Sequence, residues 1–134
     1  MRGGTANCHV IISDKPVAAP IVIKPNVLIA MNAPSLEKFE SSVVSGGTIF
    51  VNSSLVASKV ARKDVDVVYI TATETANNIG NNRIANIVMA GAINKKLKIL
   101  KDRTVIRGIR EMLKGKKELI LVNIKGYNKG KMQV

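Results

Sequence analysis

Short apolar runs closed by small polar residues alternate along the first hundred positions with stretches whose apolar residues recur every three or four. That pattern predicts strands interleaved with helices. Cys8–Ser13 (CHVIIS) reads as a short buried strand bounded by Asp14, Lys15 and Pro16, and Pro20–Lys24 (PIVIK) as an extended piece suited to a sheet edge. Val27–Met31 (VLIAM) is apolar on both faces, as expected of a central strand in a sheet covered on both sides. Ser35 is placed to cap a helix that puts Leu36, Phe39 and Val43 on one stripe, and Ser45-Gly46-Gly47 stops it. Thr48–Val51 and Asp66–Thr71 supply two more strands.

The stretch Thr73–Asn94 changes character half-way. Its first part, crowded with Asn77, Asn78, Asn81 and Asn82 around Gly80, reads as a polar loop able to adopt left-handed backbone and to cap a helix. From Ile84 the apolar positions Ile84, Ile87, Val88, Gly91 and Ala92 mark one stripe of a helix. Arg83 falls in the first helical turn, where the dipole disfavours a cation, so it needs a compensating partner; an anionic ligand is one candidate. Beyond Leu100, Asp102 or Thr104 starts a helix that ends near Gly115. The last segment, Lys116–Gly130, carries both a strand-like ELILV run and helical spacing of Leu119, Val122 and Tyr127; we assign it as helix.

The predicted fold class is therefore α/β: a layered, mainly parallel sheet flanked by helices, with a helical basic C-terminal region. The 134 residues form a single domain, an α/β body over 1–100 and a basic helical tail over 101–134. In open sheets of this class ligands sit beyond the carboxyl ends of the strands, which makes Asn32 and Asn52 candidate wall residues.

Composition narrows the function. A chain 46% hydrophobic and 22% charged is a folded one. Aromatics make up only 3%, without Trp, which disfavours recognition of single strands by base stacking. Of the net charge of +12, residues 95–134 carry +10, thirteen Lys or Arg against Asp102, Glu111 and Glu118. Such a region suits nucleic acid, an acidic partner or a phosphorylated cofactor, or simply solubility. One Cys excludes an internal disulfide, and Cys8 with His9 cannot furnish a four-ligand zinc site; both read as structural residues of the first strand. No GxSxG, GxGxxG or Walker loop occurs, and Asp14, Glu37 and Glu74 stand without a nucleophile or metal partner, so no catalytic residue is assigned. No run reaches membrane-spanning length and no apolar signal core opens the chain, which points to the cytoplasm.

Five blocks carry a resemblance. Arg2–Cys8 (RGGTANC), the strand ending in Ile12–Asp14, Val27–Phe39, Gly46–Leu55 and Ala72–Ile93 together resemble the gamma subunit of 2-oxoacid:ferredoxin oxidoreductases, enzymes of the pyruvate, 2-oxoglutarate and 2-oxoisovalerate class. The resemblance implies a part in oxidative decarboxylation of a 2-oxoacid to an acyl-coenzyme A, with electrons passed to ferredoxin. It implies a non-autonomous chain: thiamine diphosphate and iron-sulfur clusters lie on partner alpha, beta and ferredoxin-like subunits, in keeping with a single cysteine here. It further implies a coenzyme A-facing surface, to which Arg2, Gly3 and Gly4 of the first loop and Asn82 and Arg83 of the loop-helix junction are matched. From the residues alone, a plain turn is the favoured reading of Gly3-Gly4. A polyanion- or RNA-binding module using the basic tail, and a purely structural subunit, are the competing expectations.

The family pattern ordinarily opens with a strand, a GxGGxG-type loop and a helix ahead of the block that begins here at Arg2. The expectation is an uncovered sheet edge and apolar surface that self-association or partner subunits must cover.

Overall fold

The computed structural model describes residues 6–134. Its sheet consists of β1 (Val27–Ala30), β2 (Thr48–Asn52) and β3 (Asp66–Ile70), all parallel and ordered β1-β2-β3, with Leu28 opposite Ile49 and Val51 opposite Tyr69. The helices are α1 (Ala33–Phe39), α2 (Ala72–Ile79), α3 (Ala85–Leu97), α4 (Asp102–Met112) and α5 (Lys117–Lys131). The α/β class, the parallel sheet and the helical C-terminal region are as the sequence predicts.

Alternation along β2 builds two cores. Phe50 enters one cluster with Ile70, Ala72, Ala76, Ile84, Val88, Met89 and Ala92, whereas Ile49 and Val51 enter the other with Ala30, Leu36, Val43 and Val56. β2, apolar from Ile49 to Val51 and buried on both faces, is the central strand; β1, expected there, lies at an edge with Ile29 46% exposed. A run apolar on both faces reports what covers the faces. Lateral pairing is made by backbone groups, which side-chain pattern does not encode.

The first two strand expectations fail. Cys8–Ser13 and Pro20–Lys24 are irregular and exposed, with Val10 and Ile12 at 75% and Ile23 at 78%. No described strand lies beside them to complete a ladder, and strand propensity without a partner has nothing to stabilise it. Cys8 is exposed rather than buried. His9 is structural in a different way: its Nδ1 accepts from the Val22 N–H at 2.8 Å and ties the two stretches together.

α1 begins three residues earlier than expected, because Asn32 rather than Ser35 is the cap: its Oδ1 accepts from the Ser35 N–H at 3.0 Å, and Ala33-Pro34 occupy the first turn. The loop before β3 is clamped by Arg62, which bonds both Asp64 oxygens, at 2.9 and 2.6 Å, and the Glu40 carbonyl at 3.1 Å. Arg62 holds the Asp64 carboxyl down at about 2.

The basic C-terminal region is not a loose tail. α5 packs on α3 through backbone contact made possible by Gly91 and Gly130, while Gly126 leaves room for the Ile84 side chain. A Cβ on Gly130 would sit 1.8 Å from the Val88 carbonyl oxygen, and one on Gly91 2.1 Å from that of Tyr127. At the far end of α3, Lys96 pairs with Asp66 at the start of β3, at 2.8 Å. α3, about 20 Å long, therefore runs back along the sheet and brings its N-terminus towards the carboxyl ends of the strands.

Candidate functional site

The carboxyl ends of the three strands converge on Asn52. Its side chain is fully buried; Nδ2 donates to the Met31 carbonyl at 3.2 Å and to Thr73 Oγ1 at 2.9 Å, and Oδ1 accepts from the Thr73 N–H at 3.4 Å. One amide thus joins the segment after β1, the end of β2 and the first turn of α2. Both amide protons are consumed, so Asn52 fixes the strand ends instead of lining a wall with free donors. Beside it, Ser54 Oγ accepts from the Glu74 N–H at 3.1 Å. Asn32 is occupied in capping α1.

The polar loop expected over Thr73–Asn82 is largely helix. Ala72, Ala76 and Ile79 recur at four and three residues and turn one stripe of α2 inward, leaving Asn77 and Asn78 exposed. Small apolar residues supplied the periodicity, and the asparagines concealed it. The break shrinks to Gly80, at φ +96°, and Asn81, whose Oδ1 accepts from the Arg83 N–H at 3.1 Å. Asn82 and Arg83 then form an exposed 3-10 turn, Asn82–Ile84, pinned by buried Ile84. Arg83 so precedes α3 instead of lying in its first turn. Its guanidinium makes no ion pair among the described residues.

Arg2, Gly3 and Gly4 lie outside the described residues. Of the five residues matched to a coenzyme A surface, the structure therefore places Asn82 and Arg83, side by side and facing solvent.

The helix α5 adds groups that no local pattern assigned to this end of the molecule. Gly126 faces Ile84 of the Asn82–Ile84 turn, and Gln133 just beyond α5 reaches the start of α2. Gln133 Oε1 accepts from the Thr71 N–H at 2.9 Å and the Thr71 hydroxyl at 3.1 Å, while its Nε2 donates to Thr75 Oγ1 at 2.9 Å. Between α2 and α5 a groove of about 420 Å³ is lined by Thr75, Asn78, Ile79, Lys125 and Lys129. The one local signal was the Gly126-x-x-x-Gly130 spacing, which lets two helix backbones approach.

No group of three or more His, Cys, Asp or Glu suited to a metal ion occurs among the described residues. The donor set of this surface, a guanidinium, two ammonium groups, amides and a hydroxyl, suits a phosphorylated ligand. A lone exposed Cys8 does not suit an iron-sulfur cluster.

Comparisons with known proteins match this architecture. The family described as pyruvate ferredoxin/flavodoxin oxidoreductase matches residues 1–132. The chain is 33% identical over 134 residues to the 2-oxoglutarate synthase subunit KorC of Methanocaldococcus jannaschii, covering 97% of this chain and 72% of that one. It is 34% identical over 125 residues to the ketoisovalerate oxidoreductase subunit VorA of Methanothermobacter thermautotrophicus, covering 92% of this chain and 26% of the relative. In fold it is similar to the gamma subunit of a keto/oxoacid ferredoxin oxidoreductase from Geobacter sulfurreducens PCA, with a TM-score of 0.72, 19% identity and coverage of 81% and 63% of the two chains. It is likewise similar to the 2-oxoglutarate:ferredoxin oxidoreductase of Magnetococcus marinus, solved with 2-oxoglutarate, coenzyme A and succinyl-CoA bound, with a TM-score of 0.78 and 20% identity over 90% of this chain and 21% of that one.

Proposed function

The chain belongs to the pyruvate ferredoxin/flavodoxin oxidoreductase family, and we propose that it serves there as a gamma-type subunit that supplies one side of a coenzyme A site and part of the assembly surface. The complex oxidises a 2-oxoacid, releases carbon dioxide and forms an acyl-coenzyme A, and ferredoxin takes the electrons. Thiamine diphosphate and iron-sulfur clusters, on alpha, beta and ferredoxin-like partner subunits, supply the decarboxylation and electron-transfer chemistry. This chain works in the cytoplasm, binds and orients, and donates no catalytic group.

The observation that carries the coenzyme A role is Arg83: a cation on a rigid turn, held by the Asn81 cap and buried Ile84, without a carboxylate partner among the described residues. An exposed guanidinium so placed offers paired donors to a phosphate. Asn82 beside it adds an amide, and Arg2, Gly3 and Gly4 complete the set. The exposed apolar residues Val10, Ile12, Ile21 and Ile23 give partner subunits, or a second copy in isolation, a surface to cover. The RNA-module reading loses its ground, since the family match runs over residues 1–132 and takes in the basic region.

Titration of coenzyme A into the full chain, and into the complex purified through it, tests the site. Arg83→Ala is expected to weaken binding by about tenfold, roughly 1.4 kcal/mol. Unchanged affinity would remove Arg83 from the site. Failure of a thiamine-diphosphate subunit to co-purify would sink the subunit reading.

A further inference from the structure

We infer that Lys125 and Lys129 of α5, with Asn78 and Thr75 of α2, form a second phosphate-binding subsite of this surface, one that takes a phosphate group of coenzyme A; the inference rests on the coenzyme A reading above. The two lysines are four residues apart and so project from the same face of α5 into the groove of about 420 Å³ between α2 and α5. Both are exposed, and neither has an ion pair or hydrogen bond among the described residues. No carboxylate lines the groove. Like charges at this spacing repel, so the pair raises the energy of the free chain and lowers it once an anion lies between them.

The neutral lining has the right polarity. Asn78 presents an exposed amide. The Thr75 hydroxyl already accepts from Gln133 Nε2 at 2.9 Å, and among the described residues its own proton finds only Thr71 Oγ1, at 3.5 Å, a weak contact that leaves it available to an anion. Gln133 therefore orients a hydroxyl towards the groove. Ile79 gives the apolar wall against which a ligand body rests.

Position links the groove to Arg83. α2 ends at Ile79, and after two intervening residues the Asn82–Ile84 turn begins, packed against α5 where Gly126 adjoins Lys125. Arg83, next to Ile84, and Lys125, next to Gly126, thus flank one contact between the turn and α5. The basic charge beyond residue 95 finds here a specific use that sequence distance hides.

The test compares wild type, the double variant Lys125→Gln/Lys129→Gln and Arg83→Ala, each as the full chain, by calorimetric titration with coenzyme A and with inorganic pyrophosphate. The lysine side chains make no ion pair or hydrogen bond among the described residues, so the double variant should melt with the wild type. We expect it to bind coenzyme A at least about tenfold more weakly, and pyrophosphate to compete with coenzyme A in the wild type but not in the double variant. If the double variant binds both ligands as the wild type does while Arg83→Ala fails, the subsite is wrong and the coenzyme A reading stands. If the wild type binds pyrophosphate through the lysines but does not bind coenzyme A, the phosphate groove survives and the coenzyme A assignment falls. Loss of oligouridylate binding in the double variant, with coenzyme A affinity unchanged, would overturn the proposal in favour of a nucleic-acid surface.

Discussion

The buried Tyr127 of α5 donates its hydroxyl proton at 2.7 Å to Oδ1 of Asp102, the first residue of α4, and the phenol oxygen accepts from Asn94 Nδ2 of α3 at 2.7 Å. Asn94 also bonds both the N–H and the carbonyl of Leu100, each at 2.9 Å, and Lys131 pairs with Asp102. One phenol thereby ties three helices together, and α5 stays on the surface that bears Arg83.

Tyr127→Phe should destabilise the fold by about 1–2 kcal/mol, the cost of leaving buried polar partners unmatched. The pH profile gives a second signature. Lys131, and then Tyr127, holds the Asp102 carboxyl below its ordinary value, while burial, and then Asp102, pushes the Tyr127 phenol up. The Asp102 contribution is present above the unfolded carboxylate value of about 4 and is lost as pH falls through the lowered folded one. That of Tyr127 is complete below about 10 and lost as pH rises through the raised value. Urea midpoints measured from acid to alkali should lose the alkaline limb in Tyr127→Phe and keep part of the acid limb, because Lys131 remains.

The glycines of the α3–α5 contact should rank by what a methyl group meets. Gly130→Ala forces a Cβ into the Val88 backbone and should cost about 3 kcal/mol. Gly126→Ala crowds Ile84 Cδ1, at 2.8 Å, the movable end of a side chain, and should cost about 1 kcal/mol. Gly108→Ala, in α4 with nothing within 4 Å, should stabilise by about 0.5–1 kcal/mol through helix propensity. Thermal melts of the three variants check the order.

Asn52→Ala should cost about 2–3 kcal/mol, since the Met31 carbonyl and the Thr73 hydroxyl lose their shared partner in a dry setting. Hydrogen exchange at the start of α2 should quicken more than exchange in α5. A uniform change across both would show that Asn52 does not specifically hold the strand ends.

Asp64, held at about 2 by Arg62, adds stability that is present above the unfolded carboxylate value near 4 and is lost as pH falls towards 2. Arg62→Gln should flatten that acid limb between about pH 4 and 2. Asp64 is exposed and Arg62 half-buried, so the effect should shrink at high salt.

Much of the body was legible locally. Apolar runs of four or five residues closed by polar ones located β1, β2 and β3, and the three-four spacing from Ile84 located α3, because side-chain periodicity follows backbone geometry directly. Cys8–Ser13 shows the limit of that logic: its pattern describes a strand, yet a strand exists only where another backbone offers it hydrogen bonds. The Asn-rich first half of Thr73–Asn94 shows another, since composition suggested a loop where Ala72 and Ala76 already made a helical stripe.

The sequence by itself determined the α/β class, the parallel strands, the basic charge beyond residue 95, the family blocks, and Asn82 with Arg83 as a pair to watch. Which strand is central, what Asn52 bonds, and where the basic helix lies were decided only by tertiary structure. Those are relations between groups far apart along the chain: Gly130 against Val88, Gln133 against Thr71, and Lys125 across a groove from Asn78. Each depends on backbones meeting at a distance that no neighbouring residue reports, and so the second half of the candidate site became visible only once α5 was folded against α3.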